Sequence, residues 1–342
     1  MADVPDYKEL IAKGDVMQRH VARTLKRAEI EIESSTIRMM RLVEPFVFIQ
    51  KLLVLILWMS CGIFFIHEAW FPGSIGVGIV LLGLGYAHAL ELVHSCVHCT
   101  ATGVRRIDKF LGCVLSWPML VSFYAYFEGH HRHHRNVGTT EDFESFSYSY
   151  QLLKHRSRLV RLSMLLIHCS MIRNYVTFFK RIALASVGRL RTQLSSERPG
   201  ISERLIQEIE REHYMLLLVT LLLCICCCFG MGWEILIYWI LPVGLIAGPI
   251  HFIVELPEHL GTDFPCESVL LNTREIVTHP IIAYFVNYNN HHGLHHLDGC
   301  IPMEKLVMLK SEIPLASQFK YNECSYSSYY WKFAAKIWMG PI

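Results

Sequence analysis

The stretch Gly129-His130-His131-Arg132-His133-His134 decides how this chain is read, together with two distant partners. Upstream stands His94-Ser95-Cys96-Val97-His98, and downstream His292-Gly293-Leu294-His295-His296. On a helix, residues three and four apart share a face, so H-x-x-x-H and H-x-x-H-H each aim their imidazoles one way. Three such faces meeting would surround a small volume with His94, His98, His130, His133, His134, His292, His295 and His296. One ion takes only four to six ligands, so eight imidazoles predict a site for two metals. Chance does not explain the pattern. With 19 His in 342 residues, composition alone predicts roughly 0.06 occurrences of H-x-x-H-H, and it occurs twice.

The chain around these boxes is 52% hydrophobic and 18% charged, the composition of a membrane protein. A formal net charge of +2 gives no reason to expect nucleic acid. Twelve Cys are scattered without a C-x-x-C, and Cys224, Cys226, Cys227 and Cys228 lie in an apolar run, where thiols pack as small hydrophobes.

Apolar stretches predict four spans in two hairpins, at about 46–66, 73–93, 214–231 and 234–255. Lys51 lies near the start of the first, where it can snorkel. The second contains Gly73, Gly76, Gly78, Gly83 and Gly85, which allow close helix approach. Pro242 and Pro249 are expected to kink the fourth. Residues 1–45 read as an amphipathic N-terminal region, 46–302 as the catalytic domain and 303–342 as a C-terminal tail.

Charge orients the spans. No Lys or Arg occurs from Leu52 to Val104 or from Glu212 to Pro265, whereas 151–199 carries ten Lys/Arg and one Glu. The positive-inside rule then places both termini, residues 151–213 and all three boxes in the cytoplasm. The uncharged segment 110–127 would separate the boxes if it crossed, so it is expected to be interfacial or re-entrant. The basic helices of 151–199 would lie on the membrane surface. The expected fold is therefore an all-α integral membrane protein, with a cytoplasmic helical cap carrying a dimetal site.

Taken together, the boxes resemble those of the membrane fatty acid desaturase and hydroxylase family, over about Ile79 to Met308. His94–His98 is similar to that family's first motif, Gly129–Asp142 with its acidic tail to the second, and Asn287–Leu297 followed by Ile301-Pro302 and Leu306 to the third. Glu258-His259-Leu260-Gly261 and Asn272-Thr273-Arg274 resemble a subgroup of stand-alone bacterial members. Two positions depart from the pattern. Ser95 stands where an acidic residue often follows the first histidine, and His291 replaces an aromatic.

The resemblance implies two non-haem irons, O2 as co-substrate, and desaturation of a fatty acyl chain or lipid. Hydroxylation of a hydrophobic substrate is the alternative, and a membrane metal transporter a remote one. The resemblance also implies a ninth ligand, His259, with Glu255 one turn earlier touching the metal directly or through water. Asp142 is expected to orient a histidine. With no His-Pro-Gly-Gly haem motif present, electrons would come from a ferredoxin or cytochrome b5-type donor and its reductase. The acyl group would arrive as a lipid or on a carrier. The setting would be a bacterial inner membrane, or the endoplasmic reticulum in a eukaryote. His251, inside the fourth span, is expected to be paired. His131 and His291 are read as fillers or hydrogen-bond partners, and His88 as packing or indirect.

Overall fold

The computed structural model describes residues 34–139, 141–142, 157–263, 266, 268–312 and 322–340. Most of the expected N-terminal amphipathic region, residues 151–156 and part of the C-terminal segment therefore lie outside the described residues. The described chain is mostly helical. Three helices are long and apolar enough to cross a membrane, or up to five if each of two bent helix pairs counts as a span. These apolar helices suggest a membrane protein.

The first two form a hairpin: α1 (Pro45–Glu68) and α2 (Ser74–Val97). Along α1, Leu53, Ile56, Leu57 and Ile63 are exposed while Phe48, Leu55 and Ile66 are buried. An apolar outward face is expected of a helix surrounded by lipid. Small residues let the helices close up. A Cβ on Gly78 would lie 2.6 Å from the Gly62 carbonyl oxygen, and one on Gly83 2.3 Å from Ile246 Cβ. At Gly73 and Gly76 no such approach exists, so only part of the glycine run serves close packing.

The third candidate runs from Glu203 to His259, 57 residues. A straight helix of that length would measure about 85 Å, against roughly 30 Å of bilayer hydrocarbon. It is broken at Gly230, whose φ of 93° lies in the left-handed region that glycine enters without steric penalty. The break yields α8 (Glu203–Cys226) and a second arm ending in α9 (Gly248–His259). The second arm widens into π-type turns at Leu236–Ile240 and Pro242–Ala247. Pro242 begins one of them, as a residue without an N–H does when it interrupts the helical ladder.

The segment 110–127 is not one straight helix. α3 (Arg105–Ser116) and α4 (Phe123–Asn136) meet at 102°. Glu212 of α8, 3% exposed, holds the corner. Its carboxylate accepts from Trp117 Nε1 at 2.9 Å, Ser122 Oγ at 2.5 Å and the Phe123 and Tyr124 amides at 2.7 and 3.1 Å. The last two are free amides of the first turn of α4, where a carboxylate is favoured. Ser122 Oγ also accepts from Ala125 N, completing the cap.

Three helices follow in the basic region: α5 (Arg158–Cys169), α6 (Ile172–Ser186) and α7 (Leu190–Glu197). After α9 come β1 (Glu275–Val277), α10 (Pro280–Phe285), α11 (His292–Leu297), β2 (Glu323–Ser325) and α12 (Tyr326–Met339). β1 and β2 pair in parallel over three residues each, so the described chain is not wholly α. The C-terminal segment folds back rather than trailing away. Tyr329 and Tyr330 of α12 donate from their hydroxyls to the carbonyls of Leu260 and Ile253 on the last arm.

Lys51 does not snorkel. It is 2% exposed and donates to Asn287 Oδ1 at 2.8 Å and Glu304 Oε2 at 3.1 Å.

Candidate metal centre

Each histidine box occupies the end or the body of a helix. His94 lies in the last turn of α2 and His98 caps it. His130, His133 and His134 lie on α4, and His292, His295 and His296 on α11. His259 ends α9. Each residue turns about 100° round a helix. His130 and His134 therefore share an azimuth that His133 does not, and one helix can serve two centres.

The structure brings these nine side chains into two groups. His94, His98, His130, His134 and His295 form one; His133, His259, His292 and His296 form the other. Within each group the offered ligand atoms lie within 4.8 Å of one another. Neighbouring Nε2 atoms are closer still. His94–His130, His130–His134 and His134–His295 stand at 2.9, 3.0 and 2.9 Å. His133–His296, His292–His296 and His259–His292 stand at 3.1, 3.0 and 2.9 Å. Two imidazole nitrogens this close must share either a proton or a cation. Nitrogens at right angles around an ion, with metal–nitrogen bonds of about 2.1 Å, stand about 3.0 Å apart. The donor sets therefore fit two metal ions. Imidazole suits iron, zinc and copper alike.

The groups differ in what stands behind them. In the four-histidine group, His133 Nδ1 lies 2.9 Å from Asp142 Oδ2 and His259 Nδ1 donates to the Asn272 carbonyl at 2.9 Å. His292 Nδ1 donates to Asn289 Oδ1 at 3.3 Å, with Glu258 Oε2 3.4 Å away. Each contact places the proton on Nδ1 and leaves the Nε2 lone pair for a cation. In the five-histidine group, the Nδ1 atoms of His94 and His295 are buried without a protein hydrogen-bond partner, as is that of His296 in the other group.

Burial keeps these rings neutral. His292, His295 and His296 are held well below the usual histidine value, first by loss of solvent and then by neighbouring imidazoles. A neutral imidazole is the metal-binding form.

The remaining candidates fall outside both groups. Glu255 lines the cavity that holds His94, His130 and His133, and it stands 3.6 Å from His251. His251 is paired on its other side, with Nδ1 2.9 Å from Glu91 Oε1. Asp142 reaches the centre through His133. His131 Nδ1 donates to the Phe127 carbonyl at 2.9 Å, His291 Nδ1 to Glu275 Oε2 at 2.9 Å, and His88 Nδ1 to the Phe285 carbonyl at 2.7 Å.

Several supporting residues escaped the sequence reading. Glu275 also accepts from the Leu294 amide at 3.2 Å, anchoring α11. Asn287 donates to Ser95 Oγ at 2.9 Å and to the Glu91 carbonyl at 3.0 Å. Arg274 donates to the carbonyls of Pro257 and Leu260, fixing the helix end that carries His259. The only sequence signal for Arg274 was its place in the Asn272-Thr273-Arg274 motif.

No curated protein matches the chain. A family model, Fatty acid desaturase, matches residues 68–330, which includes all nine histidines of the two groups. Membership of that family implies an oxidoreductase of the desaturase or hydroxylase type. Motif, geometry and family model agree: the chain belongs to the fatty acid desaturase family.

Proposed function

We propose that this protein is a membrane-embedded, O2-dependent oxidoreductase that desaturates a fatty acyl chain or lipid, with two irons held by the nine histidines. The observation that carries the reading is the division of these imidazoles into groups of five and four. Iron bound there would supply the reduction of O2 to an oxidant able to take hydrogen from an unactivated C–H bond. Overall, two hydrogens leave adjacent carbons, and O2 becomes two waters with two electrons and two protons from outside.

The chain's own residues do the rest. Asp142, Asn289 and the Asn272 carbonyl hold Nδ1 protons on His133, His292 and His259, so that each Nε2 faces the centre. An apolar cavity lined by Trp58, Leu84, Ala87, Ile250, Ile253 and Phe285 offers room for an alkyl chain. Glu91 belongs to the walls of both this cavity and the one at the histidines. From Leu84 to Glu91 the α2 face runs about 10 Å along its axis, beneath His94. Burial of the ligands excludes water that would compete for the oxidant.

The Gly230 break and the charge asymmetry support four spans in two hairpins, with both termini and the histidines cytoplasmic. A ferredoxin or cytochrome b5-type donor would deliver the electrons. The deciding experiment is expression with candidate acyl substrates and mass spectrometry of the products. A mass loss of two hydrogens, dependent on O2, is expected. An alcohol in its place would move the assignment to hydroxylation, and no oxidised product from any acyl substrate would overturn it.

A further inference from the structure

A second cavity, of about 370 Å3, also borders the histidines. Tyr126, His130 and His133 line both it and the central cavity. Its chemistry differs from that of the apolar cavity. Asn174, Thr177, Phe178 and Arg181 line it from α6, at the i, i+3, i+4, i+7 spacing of one helix face. Glu128, Arg132 and Arg198 line it from the α4 side and the turn after α7.

The charges in this cavity are unequally engaged. Glu128 is taken by Arg132 at 2.6 Å and by Arg198. Arg198 donates further to the Ala125 carbonyl and Arg132 to the Pro199 carbonyl. Asp142 is occupied by His133. Arg181 is the exception. Its side chain is 15% exposed, and its ion pair with Glu197 is long at 3.5 Å. Glu197 also accepts from Gln193. The Arg181 Nε is buried without a hydrogen-bond partner. A guanidinium with an unused buried donor is costly unless something accepts from it, and its planar fork matches a carboxylate or phosphate.

We propose that this cavity binds the oxyanionic head group of an amphiphilic substrate on Arg181, while the substrate's chain reaches past the histidines toward the apolar cavity. The inference deepens the oxidoreductase reading and rests on it for the identity of the bound molecule as substrate. The shared chemistry is an oxyanion at the end of an alkyl chain, either the carboxylate of a free fatty acid or a phosphate. It predicts selection against hydrocarbons and neutral lipids of the same length.

The test is equilibrium binding to the metal-loaded full chain in nanodiscs, without reductant, using hexadecanoate, hexadecyl phosphate and hexadecanol as probes. Arg181→Met is expected to weaken one or both anions at least tenfold and hexadecanol less than twofold. Arg181→Lys should restore part of the loss. Whichever anion responds identifies the source of the oxyanion. Equal losses for all three probes, or none for either anion, would overturn the proposal. Unchanged hexadecanol binding also establishes that the variant has kept its fold. Turnover of the same probes by the wild type is scored separately. Anion selectivity without any oxidised product would remove the oxidoreductase reading and leave the head-group site standing, and product formation indifferent to Arg181 would do the reverse.

Discussion

Lys51 and Asn287, 236 residues apart in sequence, meet at 2.8 Å in a buried hydrogen bond. Asn287 is fully buried, has a φ of 51°, and passes the connection on to Ser95 and the Glu91 carbonyl. One amide thus ties the first apolar helix to both the first and the third histidine box. Glu304 completes the pair as the carboxylate partner of Lys51.

Removing one partner of a buried ion pair leaves the other uncompensated, at a cost of roughly 3–5 kcal/mol. Lys51→Ala should therefore lower stability by about 3 kcal/mol, the low end because Glu304 is 20% exposed. Lys51→Met with Glu304→Gln should recover much of the loss. Thermal unfolding in detergent is the measurement, and a single variant as stable as the wild type would contradict the account.

Glu212 makes a separate prediction about the second box. Its carboxylate caps α4, which carries His130, His133 and His134. Glu212→Ala strands two buried amides and the Trp117 donor, each worth about 1–3 kcal/mol. We expect reduced stability together with reduced bound metal, since α4 loses its anchor. Metal content measured at a temperature where the variant remains folded separates the two effects, and full metal loading there would show that the cap does not position the box.

Eight of the nine site histidines were readable from sequence because helical spacing is a local property, His259 came from the family resemblance, and the acidic residue behind His133 stands only nine positions along. What lay beyond reach was set by packing. A Lys five residues into an apolar helix reads as a snorkelling residue, and only the return of Asn287 and Glu304 buries Lys51. Glu212 carried no role in the sequence beyond bounding a Lys/Arg-free stretch, since nothing local reveals that the corner at Ser122, 90 residues earlier, packs against it. The three-residue strands escaped for the same reason, because among the described residues β1 and β2 pair only with each other, across the fold. Glu255 was expected to touch the metal directly or through water, and His251 stands beside it at 3.6 Å.

Asp142 is expected to act on metal affinity through His133. Loss of such a partner typically costs 10–100-fold in affinity. Asp142→Asn should therefore retain the fold but release one metal at chelator concentrations that leave the wild type loaded. Titration with a competing chelator reads this directly, and two metals released together at the wild-type concentration would refute the role.

Single replacements should distinguish the two groups. His259→Ala leaves three imidazoles in its group, whereas His98→Ala leaves four, by subtraction from the sets of four and five. Metal analysis should find the deeper loss in His259→Ala, near one ion per chain, with His98→Ala closer to two. The opposite ranking would show that the division does not govern binding. Neither variant should behave like the control His155→Ala, which is expected to keep full metal and turnover.

The last prediction concerns pH. His292, His295 and His296 are pushed well below the usual histidine value by burial first and by neighbouring imidazoles second. In the unfolded chain the same rings take up protons near pH 6.5. Below that pH the unfolded state binds protons that the folded state refuses, so folding stability must fall as pH falls. Above it neither state is protonated and the term vanishes. Metal loading moves in the same direction, because a protonated imidazole is no ligand. The melting temperature should therefore stay nearly level from pH 7.5 to 8.5 and drop progressively below about pH 6.5, more steeply in metal-loaded than in chelated protein. A melting temperature that rises toward pH 5.5 in both forms would mean that these imidazoles are protonated in the fold, and the neutral ligand cage would have to be abandoned.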